Sequence, residues 1–275
     1  LIVVFILFHF KDCSILSFLQ IMPYFRTFQA MKHTTLFFLL LIVSIITNAQ
    51  LDNRVFSMEH DETALDVGKP AFGIYALGFA RNTEYANLLK EGRTYMGYQL
   101  LPGFHYRVDS SFYVKIGGYV RQDFGNPRPE DLQAVFQMKY KRKYQQFILG
   151  TLEGNLQHGL IEPLFDFENA INDPIENGIQ YILDHPNLNA DLWVDWRRMI
   201  YPGSPFQEAF SAGFTGDISI YRNKNWRLGL PVQLFAQHKG GEIDASPDPV
   251  LSLYNSAFGG SLQFRPTKSK LQMID

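Results

Sequence analysis

The apolar residues of this chain recur at every second position over long stretches of the sequence. From Phe112 to Arg121, apolar or small residues occupy the even positions, and polar or amphipathic residues occupy the odd ones. The same period returns over residues 132 to 140 and 206 to 221. Because a helix needs a period of about 3.6, this alternation predicts strands with one apolar face and one mixed face.

Extending the same test along the chain predicts ten strands and an all-β fold. The strands span residues 71 to 81, 93 to 108, 112 to 124, 132 to 140, 144 to 152, 177 to 183, 190 to 198, 206 to 221, 226 to 238 and 251 to 264. Several exceed the usual strand length of about five or six residues and reach the roughly 9 to 11 that cross a bilayer at a tilt. Strand length therefore favours an antiparallel transmembrane β-barrel over a soluble sheet.

The connections between the predicted strands alternate between short and long. The short ones are turns at residues 109 to 111, 141 to 143 and 222 to 225, and the link at 184 to 189 is of intermediate length. The long ones span residues 82 to 92, 125 to 131, 153 to 176, 199 to 205 and 239 to 250. In a membrane barrel the short turns face the periplasm and the long loops face outside, so this alternation supports the barrel prediction.

A secretory signal peptide is predicted near the amino end. Lys32 gives the segment a basic n-region, Leu36 to Ile46 form the apolar h-region, and Ala49 is the small residue at the cleavage site. The apolar run is far shorter than the roughly 20 residues that a transmembrane helix needs. Cleavage after Ala49 is expected to export the chain without a helical anchor.

The signal peptide divides the sequence into four parts. Residues 1–30 are interpreted as upstream translation or a fragment artefact, with a genuine buried or membrane segment at their apolar start as the alternative. Residues 31–49 are the signal peptide, 50–70 a periplasmic N-terminal segment, and 71–275 the barrel domain. The single cysteine, Cys13, precedes the cleavage point. The mature chain is therefore expected to have no thiol nucleophile, disulfide or thiolate metal site.

In these features the sequence resembles a porin-like outer-membrane β-barrel protein of Gram-negative bacteria. The resemblance covers the signal peptide, with its Asn48-Ala49-Gln50 end, and residues 71 to 264, and it rests on pattern because no motif identifies a subfamily. It implies apolar residues against lipid, aromatic girdles at the interfaces and a polar lumen. Candidate girdle residues near strand ends are Phe104, Tyr106, Phe124, Tyr140, Tyr144, Trp196, Phe206, Tyr221 and Trp226. The residues beyond Phe264 look like another turn and the start of an eleventh strand, which predicts a barrel truncated at its carboxyl end.

The predicted inward face carries charges of opposite sign on separate strands. Strands two to four present basic residues and strands seven and eight present acidic ones: Arg107, Lys115, Arg121 and Lys139 against Asp191, Asp195 and Asp217. In a wide barrel these residues would line a pore and tune its selectivity through a transverse field. In a narrow barrel the same residues would pair with one another and fill the lumen.

The longest link, residues 153 to 176, is both acidic and apolar. It has no Lys or Arg, and its acidic residues include Glu153, Glu162, Asp166 and Glu168. We expect it to fold into the barrel mouth as a constriction loop, with an outer cap or partner-binding loop as the rival interpretation. Because His158, Glu162 and Asp166 are spaced by four residues, a helical loop would align them for a metal ion, but acidic loops facing water are far commoner.

Hydrolase and nucleotide-binding motifs such as G-x-S-x-G, H-E-x-x-H and G-x-G-x-x-G are absent from the sequence. A barrel lipase built from His105 with Ser111 or Ser211 is a minor alternative. Asp191 and Asp195 lie about 13 Å apart along one strand, too far for a glycosidase pair.

The sequence-based prediction is thus an outer-membrane channel for small polar solutes, not an enzyme, without catalytic residues, metal or other cofactor. Expected partners are outer-membrane lipid and the solutes, and a homo-oligomer is allowed. The net charge of -2 argues against nucleic acid. The alternatives are a secreted or surface β-sandwich that binds glycans through Trp193, Trp196 and Tyr201, and a non-conducting scaffold barrel.

Overall fold

The computed structural model describes residues 64–84, 91–153 and 158–265, and it consists almost entirely of antiparallel strands. The strands are β1 Pro70–Thr83, β2 Arg93–Arg107, β3 Phe112–Asp123, β4 Asp131–Arg142, β5 Gln145–Thr151, β6 Asn177–His185, β7 Leu188–Arg198, β8 Ala209–Arg222, β9 Trp226–Lys239, β10 Leu251–Phe258 and β11 Ser261–Phe264. A 3-10 turn, Glu162–Leu164, and a short helix α1, Asn169–Asn172, lie in the loop between β5 and β6. The described residues contain no helix that is long and apolar enough to cross a membrane.

Each strand pairs antiparallel with its neighbours in sequence, in the order β1 to β10. β11 also pairs with β9, next to the segment of β9 that β10 covers. The predicted strand 251 to 264 is therefore present as two pieces separated by Gly259 and Gly260. The predicted all-β antiparallel fold is confirmed, and the strand bounds agree within a few residues. Within the described residues, the first strand, β1, does not pair with β10 or β11, so closure into a barrel stays a prediction.

The two faces of the sheet have the polarity expected of a membrane strand array. One face, called the outward face below, exposes large apolar side chains: Ile74, Phe104, Ile116, Phe136, Leu149, Ile179, Leu192 and Leu234. The other, called the inner face, buries polar ones: Gln99, Arg121, Gln137, Lys139, Gln180, Asp195 and Gln233. A soluble sandwich would bury its apolar face, whereas a lipid-facing wall exposes it. The glycan-binding alternative is further weakened because Trp193, one of its stacking residues, is only 1% exposed.

The loop between β5 and β6 packs against the inner face. Ile171 lies in a cluster with Phe79 and Tyr95, and Ile175 joins a second cluster on β2 to β4. The side-chain amide of Gln99 donates to the carbonyl oxygens of Ala170 and Ile171, at 3.0 and 3.2 Å. The loop thus covers part of the inner face, and its described Ala, Leu, Ile and Phe side chains are buried or half-buried.

The signal-peptide prediction and the segment 1–63 lie outside the described residues. The predicted eleventh strand beyond residue 265 also lies outside them.

Candidate functional site

His158 is the centre of a buried cluster on the inner face. Its Nδ1 lies 2.7 Å from Asp191 Oδ2, and its Nε2 lies 2.8 Å from Glu176 Oε2. Its ring stacks on Trp193, with centroids 3.9 Å apart. We call these four residues the inner clasp. Burial alone would lower the pKa of His158, but the hydrogen bonds to Asp191 and Glu176 outweigh it and raise the pKa to about 9. The imidazole is therefore held as a cation between two carboxylates.

Further hydrogen bonds tie the inner clasp and the start of the loop between β5 and β6 to neighbouring strands. Gln180 on β6 donates to both carboxylate oxygens of Asp191, at 2.9 and 3.0 Å. Thr215 on β8 donates to the carbonyl of His158 at 2.6 Å. Gln233 on β9 donates to the carbonyl of Gly159 and accepts from the amide of Ile161, both at 2.9 Å. Because both ring nitrogens of His158 already bind carboxylates, the inner clasp is a structural assembly rather than a general base.

Five of the seven predicted pore-lining residues have a partner of opposite charge within 4 Å. Arg121 pairs with Asp123 at 2.7 Å, Asp195 with Arg197 at 3.0 Å, and Asp217 with Arg227 at 2.8 Å. Lys139 pairs with Glu153, Asp191 belongs to the inner clasp, and Arg107 donates to the carbonyl of Asp109 at 3.1 Å. Lys115 is half-buried on β3 and has an electrostatic or hydrogen-bonding partner. The charges are thus neutralised by nearby partners, and a pore-lining position for these residues stays a prediction.

The four predicted constriction residues separate into two groups. Glu153 and Glu168 face the sheet, where Glu153 pairs with Lys139 and Glu168 lies 3.9 Å from Arg81. Glu162 and Asp166 are exposed. His158 does not share a helix with these two exposed carboxylates, because the described part of the loop, from residue 158 onward, holds only a 3-10 turn and the short α1. In the described part of the chain, no three His, Cys, Asp or Glu side chains form a cluster that fits a metal ion.

The histidine and serines considered for a barrel lipase are not neighbours in the sheet. His105 lies on β2, which pairs with β1 and β3, and Ser111 lies in the turn after β2. Ser211 lies on β8, where its hydroxyl is 3.4 Å from Asp195 Oδ2.

A different serine and histidine do meet, on the outward face. Ser252 on β10 lies directly opposite His238 on β9. The hydroxyl of Ser252 is 2.8 Å from His238 Nδ1, and His238 Nε2 is 2.9 Å from the carbonyl oxygen of Gly240. Ser252 is exposed and His238 is half-buried, so the pair is open to the surroundings. We call these two residues the outer dyad.

The outer dyad ends a row of side chains that crosses four strands. Trp196 on β7 pairs in register with Phe210 on β8, Phe210 with His238, and His238 with Ser252. The rings of Trp196 and Phe210 stack with centroids 5.3 Å apart, and those of Phe210 and His238 lie 5.0 Å apart. The row lies where β7 and β9 run into the long loops. Its aromatic members hold one side of the histidine ring in place.

An apolar groove of about 510 Å³ adjoins this row on the same face. Its floor includes Ala212 and Ala236, which are the next residues along β8 and β9 to share the face with Phe210 and His238. Its walls include Leu192, Phe214, Leu234 and Tyr254. Residues two apart on a strand are separated by about 7 Å, so the groove starts within one such step of Ser252.

The loops after β7 and β9 lie beside the outer dyad and are joined by hydrogen bonds. The amide of Gly240 donates to the carbonyl of Glu208 at 3.0 Å, and the amide of Ala245 donates to the carbonyl of Ser204 at 2.8 Å. The side chain of Gln207 donates to the carbonyl of Asp248 at 2.9 Å. The loops after β7 and β9 are therefore bound to each other, which limits movement of the chain around His238.

The outer dyad was not predicted, although the sequence contains a usable signal for it. Strands were predicted at 226 to 238 and 251 to 264, and a hairpin between them places His238 near residues 251 and 252. The loop of eleven residues between β9 and β10 does not fix that register by itself, since only short turns do so.

Comparison with protein families gives a finding that the sequence pattern had not suggested. The model of a family described as Lipid A 3'-O-deacylase-type matches residues 62–275. No curated protein matches the chain at a significant level. The match overturns the resemblance to a porin, the predicted channel and transport function, and the prediction that the chain is not an enzyme, because this family is named for a deacylase. It does not fit the glycan-binding or scaffold alternatives either.

The same match agrees with two parts of the earlier interpretation. A family named for lipid A is consistent with an outer-membrane location and with outer-membrane lipid as a partner. It offers no support for small polar solutes or for a homo-oligomer.

Proposed function

We propose that this chain, which belongs to the Lipid A 3'-O-deacylase-type family, hydrolyses an acyl ester of lipid A in the outer membrane. The observation that carries the proposal is the contact of 2.8 Å between the Ser252 hydroxyl and His238 Nδ1 on a lipid-facing wall. A serine hydroxyl bonded to an imidazole nitrogen is the pairing that acyl-transfer enzymes use to activate a nucleophile.

The reaction proceeds through a covalent acyl intermediate. Ser252 Oγ attacks the ester carbonyl carbon while its proton passes to Nδ1 of His238. The carbon–oxygen bond to the sugar then breaks, and the sugar oxygen takes the proton from His238 as it leaves. Water next attacks the acyl-serine with His238 as base, which releases a fatty acid and restores the serine. The products are a free fatty acid and a lipid with one more hydroxyl group.

The apolar groove supplies the place for the acyl chain. Ala212 and Ala236 are small and leave room along the wall, while Leu192 and Leu234 offer apolar contact on either side. An acyl chain lying there would put its ester carbonyl level with Ser252. Burial of apolar surface stabilises such a complex by about 25 cal/mol per Å² removed from water, although a chain arriving from the bilayer gains much less because lipid is also apolar.

The substrate reaches this site laterally from the membrane. The dyad lies on the outward face, and the inner face is occupied by the loop between β5 and β6. In this arrangement the predicted Sec signal peptide, residues 31–49, exports the chain, and strands β1 to β11 form part of the barrel wall. The long loops, and the dyad beside them, lie at the outer leaflet, where lipid A is displayed.

Substitution of each dyad residue tests the proposal. We expect Ser252→Ala and His238→Asn in the full-length protein to lower hydrolysis of lipid A by at least about a thousandfold. Ser111→Ala and His185→Asn are matched controls, because Ser111 lies in the turn between β2 and β3 and His185 is the last residue of β6, both at the short-turn end of the strands and away from the outer dyad. The readout is release of fatty acid from lipid A in detergent micelles, with the mass of the lipid product measured in parallel.

Full activity of Ser252→Ala in a protein that remains folded by circular dichroism would overturn the assignment of the nucleophile. Absence of fatty-acid release by the unmodified protein, under conditions in which it is folded, would overturn the proposed activity.

A further inference from the structure

The carbonyl group of Gly240 lies within hydrogen-bonding distance of the imidazole nitrogen that faces away from Ser252. The separation between His238 Nε2 and Gly240 O is 2.9 Å. A carbonyl oxygen only accepts hydrogen bonds, so this contact requires a proton on Nε2. In the neutral ring Nδ1 then has a free lone pair, which accepts the hydrogen bond from Ser252.

From this geometry we infer that Gly240 is a positioning residue, whose backbone carbonyl holds His238 in the tautomer that can deprotonate Ser252. The inference rests on the proposed function and adds to it the third member of the hydrolytic site. In serine hydrolases a carboxylate commonly orients the histidine. Here both ring nitrogens of His238 are engaged by Ser252 and by the backbone, so the orienting group is uncharged.

The backbone at Gly240 is one that only glycine adopts readily. Its φ is +123°, outside the range that residues with a Cβ usually occupy. A Cβ added there would also lie 2.7 Å from Cγ2 of Val250. Any other residue at position 240 therefore shifts the backbone, and with it the carbonyl that meets His238.

The position of this carbonyl is fixed from its other side as well. The amide of Gly240 donates to the carbonyl of Glu208 at 3.0 Å, so the residue is held between β9 and the loop before β8. Phe210 contacts the ring of His238 and limits its rotation. His238 is thus constrained by Ser252, Gly240 and Phe210 together.

The tautomer of His238 tests this inference without any substitution. In the full-length protein in detergent, labelled with ¹⁵N-histidine, we expect a one-bond proton coupling at Nε2 of His238 and none at Nδ1 at a pH where the ring is neutral. His238→Asn identifies the signal by its loss. A proton on Nδ1 instead would overturn the inference.

Gly240→Ala provides the functional arm of the test. We expect kcat to fall about 100-fold with little change in KM, because the acyl groove is untouched and the base is misoriented. The ¹⁵N signal should shift toward a mixture of tautomers. Gly125→Ala is the matched control, since Gly125 also has a positive φ, of 88°, but a Cβ there meets nothing within 4 Å. Equal kcat in Gly240→Ala and the unmodified protein, or an unchanged tautomer, would contradict the proposed role.

The hydrolytic activity and the role of Gly240 can be refuted independently of each other. If the unmodified protein releases no fatty acid, the proposed function is wrong, yet an Nε2 proton that is lost in Gly240→Ala still supports the orienting role of the carbonyl. If the protein is active and Nδ1 carries the proton, the function stands and the role of Gly240 is refuted.

Discussion

The imidazole ring of His158 lies nearly parallel to the indole ring of Trp193, with their planes inclined by 7° and their centroids 3.9 Å apart. Trp193 in turn presses against the backbone of Gly213, which lines the apolar groove on the other face of the sheet. The inner clasp therefore lies directly behind the wall on which the groove is formed. Its charge state should affect the stability of that wall.

The stability of the fold is expected to fall as the pH rises through the pKa of His158. The pKa is raised from 6.5 to about 9 in the folded protein, where His158 lies in the loop between strands. The protonated ring therefore favours the folded state, and this contribution is present in full below pH 6.5 and lost as the pH rises through about 9. Its size is about 3 kcal/mol. The measurement is the urea midpoint of unfolding in detergent at a series of pH values.

His158→Gln is the control for this dependence, because glutamine keeps a polar group but does not titrate. The difference in unfolding free energy between the two proteins should shrink between pH 6.5 and 9. Parallel pH profiles for the two proteins would show that His158 does not carry the proton in the folded state.

Gly213 is expected to tolerate no side chain, because a Cβ there would collide with the indole of Trp193. Gly213→Ala should destabilise the protein by about 1 to 3 kcal/mol through overpacking. Gly78→Ala is the matched control, since Gly78 also lies in a strand but has no atom within 4 Å of the added Cβ. Thermal unfolding of both variants in detergent measures the effect, and equal midpoints would refute the close packing of Trp193 on Gly213.

Most of the fold could be predicted from the sequence because strand alternation and short turns are local properties. Val135 is the one apolar residue at a position where the alternation over residues 132 to 140 predicts a polar one. It packs on the inner face with Leu101, Tyr119 and Ile175. Gly259 and Gly260 interrupt the last predicted strand, which the period alone did not reveal.

The candidate site was much harder to predict, since its contacts join segments far apart in sequence. The inner position of Arg121 and Asp195 followed from alternation, but their partners Asp123 and Arg197 lie two residues further along the same strands. Residues two apart on a strand lie on the same face, so these two ion pairs could have been predicted from the sequence. The pore interpretation did not consider them. The outer dyad depends on the register across a long loop, which no local pattern specifies.

The apolar groove is expected to select substrates by the length of their acyl chain. Ala236→Phe would fill the floor beside Tyr254 while leaving His238 and Ser252 in place. We expect hydrolysis of long-chain esters to fall about 10-fold or more, with hydrolysis of an acetyl ester almost unchanged. The ratio of kcat/KM for the two esters, compared with that of the unmodified protein, is the measurement. A proportional loss on both esters would mean that the substitution disturbs the dyad and that the groove does not hold the chain.

The orientation of the sheet in the outer membrane can be tested by labelling from outside the cell. The only cysteine, Cys13, precedes the predicted signal-peptide cleavage point, so single cysteines are easily introduced. Pro202 is exposed in the loop after β7, on the side of the outer dyad, and Ser110 is exposed in the turn between β2 and β3. The two test variants are Pro202→Cys and Ser110→Cys. We expect a membrane-impermeant maleimide to label the cysteine at 202 on intact cells and the one at 110 only after the outer membrane is permeabilised. The reverse pattern would place the dyad at the periplasmic leaflet, away from the lipid A that the proposed reaction requires.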